Sequence, residues 1–417
     1  MYILKIQGNK QLEGKVKISG AKNSAVALIP ASVLCDETVT INNIPNISDI
    51  DALEEILLYL NAKVDKKENE ITIDTTALES KPIPEGPSKL LRASYYFMGA
   101  MLGKYKKAEV SFPGGCTIGK RPIDLHLKGF EALGAKITQN GDRYIIEADE
   151  LIGNNIYLDF PSVGATINII LAAVKAKGVT IIENAAKEPE IVDLVSFLND
   201  MGAKIRGAGT NTIKIIGVDH LGKCLHEVIP DRIEAATYIM IGVGAAKNLV
   251  VENIIPEHLH ALLKKLKEMG ADIKVDSDSV TVSNSNNLVS TNIRTSVYPG
   301  FPTDMQQVMA SLMTTAYGES KIEETLYENR FLNLFQLSRM GARIKLEGNK
   351  ASVYGKTDLV AADVSATDLR AGASLVLAAL LADGVTTING ADYILRGYED
   401  IVNKLKNLGA KVELIQI

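Results

Sequence analysis

The stretch Phe112-Pro113-Gly114-Gly115-Cys116-Thr117-Ile118-Gly119-Lys120-Arg121-Pro122-Ile123-Asp124-Leu125-His126 holds the residues best suited to covalent chemistry. Glycines on both sides of Cys116 allow a loop to approach a ligand closely. Lys120 and Arg121 follow within a few residues, and nearby cations lower a thiol's pKa towards the nucleophilic thiolate. An incidental thiol is the plain alternative for any isolated Cys in such a loop; the adjacent cations favour a reactive one. Cys35 and Cys224 lack that setting, and Cys35 closes an apolar helix pattern that assigns it to the core.

A second set of charged residues stands where six apolar helix patterns begin. These starts are Lys22-Asn23-Ser24, Arg92-Ala93-Ser94, Ser162-Val163-Gly164-Ala165-Thr166, Asp231-Arg232-Ile233-Glu234, Thr303-Asp304-Met305 and Asp368-Leu369-Arg370. Unpaired N–H groups and the helix dipole both favour anions at such ends. Cations there oppose the dipole and are best tolerated with an anion between them. Lys22, Arg92 and Arg370 therefore point to a strongly anionic ligand. The competing reading is internal pairing with Asp231, Asp368 or Glu234. If equivalent helix ends share a face in each domain and those faces oppose, six N-termini converge on one cleft. A third set, Lys187-Glu188-Pro189-Glu190, Glu328-Asn329-Arg330 and Leu395-Arg396-Gly397-Tyr398-Glu399, opens more polar helices. It places Arg330 and Arg396 at helix starts, and makes Glu188 and Glu190 ordinary N-terminal acids.

The elements that must position these residues recur. A helix ending in Gly-Ala-Lys or a variant, followed by an alternating strand, appears at Asn61, Gly134, Gly202, Gly270, Gly341 and Gly409, with gaps of 73, 68, 68, 71 and 68 residues. Gly, or Asn at the first site, supplies the left-handed residue that stops a helix. The residues after it alternate with period 2, the pattern of a strand with one buried face. The preceding helices, such as Glu257 to Met269, are amphipathic and half-exposed. Between them lie helices apolar on nearly every side and too short for a bilayer, hence buried in protein. The repeating unit is strand, buried helix, strand, exposed helix, strand pair, or βαβαββ, about 70 residues long. Three units per domain make an α/β fold with helices inside and sheets outside. The three-plus-three division falls between Ile229 and Pro230. A single six-unit solenoid is the alternative; the long units and variable loops count against it.

Length and composition agree. A chain of 417 residues exceeds one ordinary domain. Hydrophobic residues at 46% and charged residues at 23% exclude disordered and collagen-like classes. A net charge of −5 without a long basic run excludes a nucleic-acid coat. The N-terminus shows no signal peptide, and three scattered cysteines and five histidines form no disulfide framework or zinc signature. The chain reads as cytoplasmic, metal-free and away from membranes.

Together the six units, Lys22-Asn23-Ser24, the Cys116 loop with Arg121-Pro122 and Asp124-Leu125-His126, Ser162-Val163-Gly164-Ala165-Thr166, Phe301-Pro302-Thr303-Asp304-Met305-Gln306, Glu328-Asn329-Arg330-Phe331, Asp368-Leu369-Arg370-Ala371 and Arg396-Gly397-Tyr398-Glu399 resemble the enolpyruvyltransferase family over the whole chain. The resemblance is to the members that use UDP-N-acetylglucosamine. It implies a two-domain inverse α/β barrel, with one domain at 21–229 and the other made of 1–20 plus 230–417. It also implies transfer of an enolpyruvyl group from phosphoenolpyruvate to the sugar 3-hydroxyl with release of phosphate, the committed step of peptidoglycan precursor synthesis. No cofactor and no metal are implied, and a monomer or weak oligomer is expected.

By the same resemblance, Lys22, Arg121 and Arg396 would bind phosphoenolpyruvate, reinforced by Arg92, Arg330 and Arg370, since Arg pairs bidentately with carboxylate and phosphate. Asp304 would act as base at the sugar hydroxyl or orient it, and Asn23 would hold the sugar. Arg121, Pro122, Asp124, Leu125, Ser162, Val163 and Gly164 would cradle the uridine diphosphate, with Leu326 among the substrate contacts. Cys116 would protonate the methylene carbon or form a phospholactoyl adduct; both roles stand open. Addition and then elimination through a tetrahedral ketal would require a closed, water-excluding site, with the Cys loop as lid. Phe160-Pro161 stand where some members carry a basic residue, and Tyr298 where others carry His. The shikimate-pathway branch shares fold and donor; the Cys116 loop and Ser162-Val163-Gly164 point away from it. A binding protein that has lost catalysis is a further alternative, against which stand Lys22, Cys116, Asp304 and Arg396 together.

Overall fold

The computed structural model describes residues 2–9, 11–84, 86, 92–111, 122–285 and 287–417, with Arg92 and Ala93 described by backbone alone. All six helix-stop residues take positive φ, from 68° at Asn61 to 105° at Gly202. Asn61 thus does the work of the glycine it replaces, because its short polar side chain tolerates the left-handed region.

One wiring recurs through the sheets. In the third copy, strands Asn155–Tyr157, Val179–Glu183, Lys204–Arg206 and Thr212–Ile216 form one sheet. The first two pair in parallel across the helix Val163–Ala173, and the last two form an antiparallel hairpin after the helix Pro189–Asp200. Five of the six sheets are four-stranded and one, around Lys107–Ser111, has three described strands. Three copies are completed from elsewhere in the chain. Cys224–Glu227 pairs in parallel with Thr38–Asn42 of the first copy. Leu12–Lys17 pairs in parallel with Ala246–Glu252 of the fourth. Tyr2–Gln7 inserts between Val385–Asn389 and Lys411–Gln416 of the sixth.

Contacts divide the chain into two compact units. One joins the residues up to Ser19 to Pro230–Ile417; the other runs from Gly20 to Ile229 outside the 112–121 stretch. In the first, helices Arg232–Ala245, Thr303–Met313 and Leu369–Leu381 pack on one another and are buried on nearly every side. Sheets cover them, so the unit is an α/β barrel turned inside out. In the second, Tyr96–Tyr105 packs on Lys22–Ala31 and on Val163–Ala173. Gly99 makes the latter contact close: a Cβ there would lie 2.4 Å from the Asn168 carbonyl oxygen.

Two local features differ from the periodic pattern. Pro189–Asp200, read as a half-exposed helix, is mostly buried because it packs against Lys22–Ala31 and beneath the closing strand Cys224–Glu227. Glu188 and Glu190 stand at its start as expected, but they are buried rather than solvated. The closing strand is pinned by His226, whose Nε2 lies 2.9 Å from Asp193 Oδ1 and Nδ1 3.0 Å from Asp200 Oδ2. Burial opposes a charged imidazole here, but the two carboxylates outweigh it and hold the pKa above its ordinary value.

Candidate active site

In the unit containing Pro230–Ile417, helix starts meet helix starts. Asp304 occupies the first turn of Thr303–Met313, where the dipole favours a carboxylate. Arg330, just before the helix Leu332–Arg339, hydrogen-bonds Asp304 Oδ1. Arg370, in the first turn of Leu369–Leu381, places Nη2 3.5 Å from Asp304 Oδ2. Both guanidinium side chains are almost fully buried, while the Asp304 side chain is 31% exposed. The triad therefore carries one net positive charge and opens through its carboxylate.

Aromatic rings and amides hold the arginines. Arg330 lies over the Tyr327 ring at 5.7 Å and Arg370 over the Tyr398 ring at 5.5 Å. Gln307 Nε2 donates to the Arg330 carbonyl at 3.1 Å and to Asp368 Oδ2 at 3.3 Å. Asp368 Oδ1 caps its helix, accepting from the N–H groups of Arg370 and Ala371. Asp231 caps its own helix in the same way. Glu234 accepts from the Ser19 N–H and from Lys404, and burial pushes its carboxyl up to about 7 against the pull of Lys404. Arg330 and Arg370 thus share Asp304, an acid outside the three that the sequence offered, while the charge of Asp231 also acts on Arg370.

Arg396 departs from its expected place. It caps the C-terminal end of the four-residue helix Asp392–Leu395, and the next helix, Ile401–Asn407, begins five residues later. The left-handed Asp400 breaks the chain between them. Arg396 is half-buried, and two residues on Tyr398 joins its segment to Arg370 and, through a 2.9 Å hydroxyl contact, to Thr237.

The Gly20–Ile229 unit carries two further groups. Lys22 opens its helix, and Nζ lies 2.7 Å from Asp49 Oδ2, in the first turn of Ser48–Tyr59. Nothing in the sequence marked Asp49, since an acid in a first turn reads as a dipole partner. Asn23, the next residue, is half-buried. Ser162 caps Val163–Ala173, its Oγ accepting from Ala165 N at 3.3 Å. Gly164 has no room for a side chain: a Cβ would lie 2.6 Å from Tyr95 Oη and 2.9 Å from His126 Cε1. His126 lies in the first turn of the helix Asp124–Ala132, so Asp124 and Leu125 immediately precede the side chain that meets Gly164. Asn168 Oδ1 accepts from Gly99 N at 2.9 Å, which turns its amide nitrogen towards His126 Nδ1, also at 2.9 Å. That assigns the imidazole proton to Nε2. Pro122 is exposed, and Leu326 is half-buried. Cys116 and Arg121 lie outside the described residues, as does the Arg92 side chain; the Arg92 backbone opens the turn before Tyr96–Tyr105.

The environments of the other two thiols disfavour the thiolate. Burial raises the Cys35 pKa and pushes that of Cys224 up to about 12. Among the described residues no cluster of His, Cys, Asp and Glu could hold a metal ion, and no helix is long and apolar enough to cross a membrane.

Sheets outside and helices inside, with charged residues at the helix starts, define an inverse α/β barrel protein. The family model for EPSP synthase (3-phosphoshikimate 1-carboxyvinyltransferase) matches residues 6–405. The chain belongs to this family. It is 52% identical over 413 residues to UDP-N-acetylglucosamine 1-carboxyvinyltransferase 2 of Bacillus subtilis (strain 168), covering 99% of this chain and 96% of the relative. The protein of the same name from Listeria monocytogenes serovar 1/2a is 52% identical over 407 residues, covering 98% of this chain and 96% of the relative. Among solved structures, the enolpyruvyl transferase NikO from Streptomyces tendae superposes with a TM-score of 0.92 at 27% identity, over 100% of this chain and 99% of that one. An EPSP synthase from Acinetobacter baumannii superposes at 0.78 over the full length of both chains, and at 18% identity it shows the shared fold alone.

Proposed function

We propose that the protein transfers the enolpyruvyl group of phosphoenolpyruvate to the 3-hydroxyl of UDP-N-acetylglucosamine, releasing inorganic phosphate in the committed step of peptidoglycan precursor synthesis. The observation that carries this reading is 52% identity over 99% of the chain to relatives named for that reaction. The two compact units are read as two enolpyruvyltransferase domains, and the enzyme as cytoplasmic.

The residue chemistry supports the reading. Phosphoenolpyruvate is compact and multiply anionic, which suits Lys22, Arg121 and Arg396, with Arg92, Arg330 and Arg370 in support. Asp304 takes the proton of the sugar hydroxyl, or aligns it, as oxygen attacks C2 of the enolpyruvyl group. A proton is delivered to the methylene carbon, with Cys116 as donor or as transient nucleophile. The resulting ketal then loses phosphate, and loss of a methyl proton restores the double bond. Ser162, Val163 and Gly164, at a helix start, suit a diphosphate, together with Arg121, Pro122, Asp124 and Leu125. Asn23 and Leu326 complete the sugar-nucleotide contacts.

The test is phosphate release from phosphoenolpyruvate by the purified protein. It is expected only when UDP-N-acetylglucosamine is present. Equal turnover with shikimate 3-phosphate, or none with either acceptor, would overturn the assignment.

A further inference from the structure

We propose that Glu324 is a positioning residue for this reaction, coupling the Leu326 backbone to the helix start that carries Asp304. The proposal rests on the function proposed above. Glu324 follows the strand Gly318–Glu323 and is 2% exposed. Its Oε1 accepts from Thr295 Oγ1 at 2.8 Å and from the Leu326 N–H at 2.8 Å, with the Tyr327 N–H at 3.4 Å. Its Oε2 accepts from Thr303 Oγ1 at 2.8 Å. Thr303 is the first residue of the helix Thr303–Met313 and the immediate neighbour of Asp304. Two hydrogen bonds through one carboxylate therefore join Leu326 to the residue beside Asp304.

The rest of the surroundings fix Glu324 itself. Its N–H donates to the Asn349 carbonyl at 2.9 Å, and its carbonyl accepts from Asn349 Nδ2 at 3.0 Å. Thr325 is bound on both sides to Thr295, through its N–H at 2.9 Å and its hydroxyl at 2.7 Å. A buried carboxylate is a poor device for stability alone, because an apolar residue of similar volume often serves as well. What it supplies is two acceptor oxygens in fixed geometry, Oε1 shared by Thr295 and the Leu326 N–H and Oε2 taken by Thr303. Catalysis depends on such geometry, and a misplacement of about 1 Å can cost about 100-fold in rate.

The link is cut most cleanly at Thr303. Thr303→Val keeps the shape and removes the hydroxyl; Thr303→Ser keeps the hydroxyl. For Thr303→Val, kcat should fall about tenfold or more, with a smaller rise in KM for UDP-N-acetylglucosamine. The thermal midpoint should also drop, because the buried Glu324 carboxylate loses a donor, so the rate is compared at temperatures where the variant is fully folded. Thr303→Ser should restore most of the rate. Glu324→Gln, with one acceptor oxygen in place of two, should reduce kcat/KM with the fold intact. Wild-type kcat and KM in both Thr303→Val and Glu324→Gln would overturn the role of Glu324. So would an activity loss that merely tracks loss of folded protein. Absence of turnover by the wild-type protein would instead remove the reading on which the proposal rests.

Discussion

Arg370 Nη2 lies 3.5 Å from Asp304 Oδ2, and through that contact two buried helices of different repeats share one charge cluster. Arg330 completes it from a third segment. The carboxylate is the one member with substantial exposure. It is also the member whose removal takes from two nearly buried guanidinium groups the carboxylate they share, leaving Asp231 as the other acid whose charge acts on Arg370.

Asp304→Asn should therefore act on both rate and stability. Turnover should fall by roughly 10²–10⁴-fold, the usual contribution of a positioned proton acceptor. Stability should fall by on the order of 3 kcal/mol, because two nearly buried guanidinium groups lose the carboxylate they share. Steady-state kinetics beside urea denaturation separates the two effects. Wild-type turnover in this variant would remove Asp304 from the chemistry.

The thiols should differ sharply in reactivity. The epoxide phosphonate fosfomycin should add its mass to Cys116 and spare Cys35 and Cys224, whose pKa values are raised by burial. Peptide mass spectrometry reads the outcome directly. An unmodified Cys116 peptide after exposure would reject it as the reactive thiol.

Gly164 is predicted to tolerate no side chain. A Cβ would meet Tyr95 Oη at 2.6 Å and His126 Cε1 at 2.9 Å, so Gly164→Ala should cost about 1–3 kcal/mol as overpacking. It should also weaken UDP-N-acetylglucosamine binding, measured by calorimetry. Adding Tyr95→Phe removes the hydroxyl and should recover part of the lost stability. No recovery would show that the strain lies elsewhere.

His226 should make the stability of the protein depend on pH. Its raised pKa means that the folded state holds the proton more tightly than the unfolded chain. The stabilisation is full below the unfolded value of about 6.5 and is lost as pH rises through the higher folded value. Thermal midpoints of wild type and His226→Gln should therefore differ most near pH 5–6 and converge at alkaline pH. A constant gap across that range would contradict a charged imidazole.

The repeat, the layer order and the charged helix starts were legible because each follows from local rules. A left-handed residue stops a helix at Asn61 as at Gly134, alternation marks the strands that follow, and an all-apolar helix can only be buried. What stayed hidden depends on partners far along the chain. Nothing local says that Tyr2–Gln7 completes the last sheet, or that Cys224–Glu227 completes the first. Nor does any pattern distinguish Asp49 and Glu324 from the acids around them, or move Arg396 from a helix start to a helix end. Periodicity specifies which face of an element is buried, but not what it is buried against. Tertiary structure decided the pairings of Lys22 with Asp49, of Asp304 with Arg330 and Arg370, and of Glu324 with Thr303. A hydrogen bond between side chains depends on positions of a few tenths of an ångström, and those are set by packing rather than by spacing along the chain.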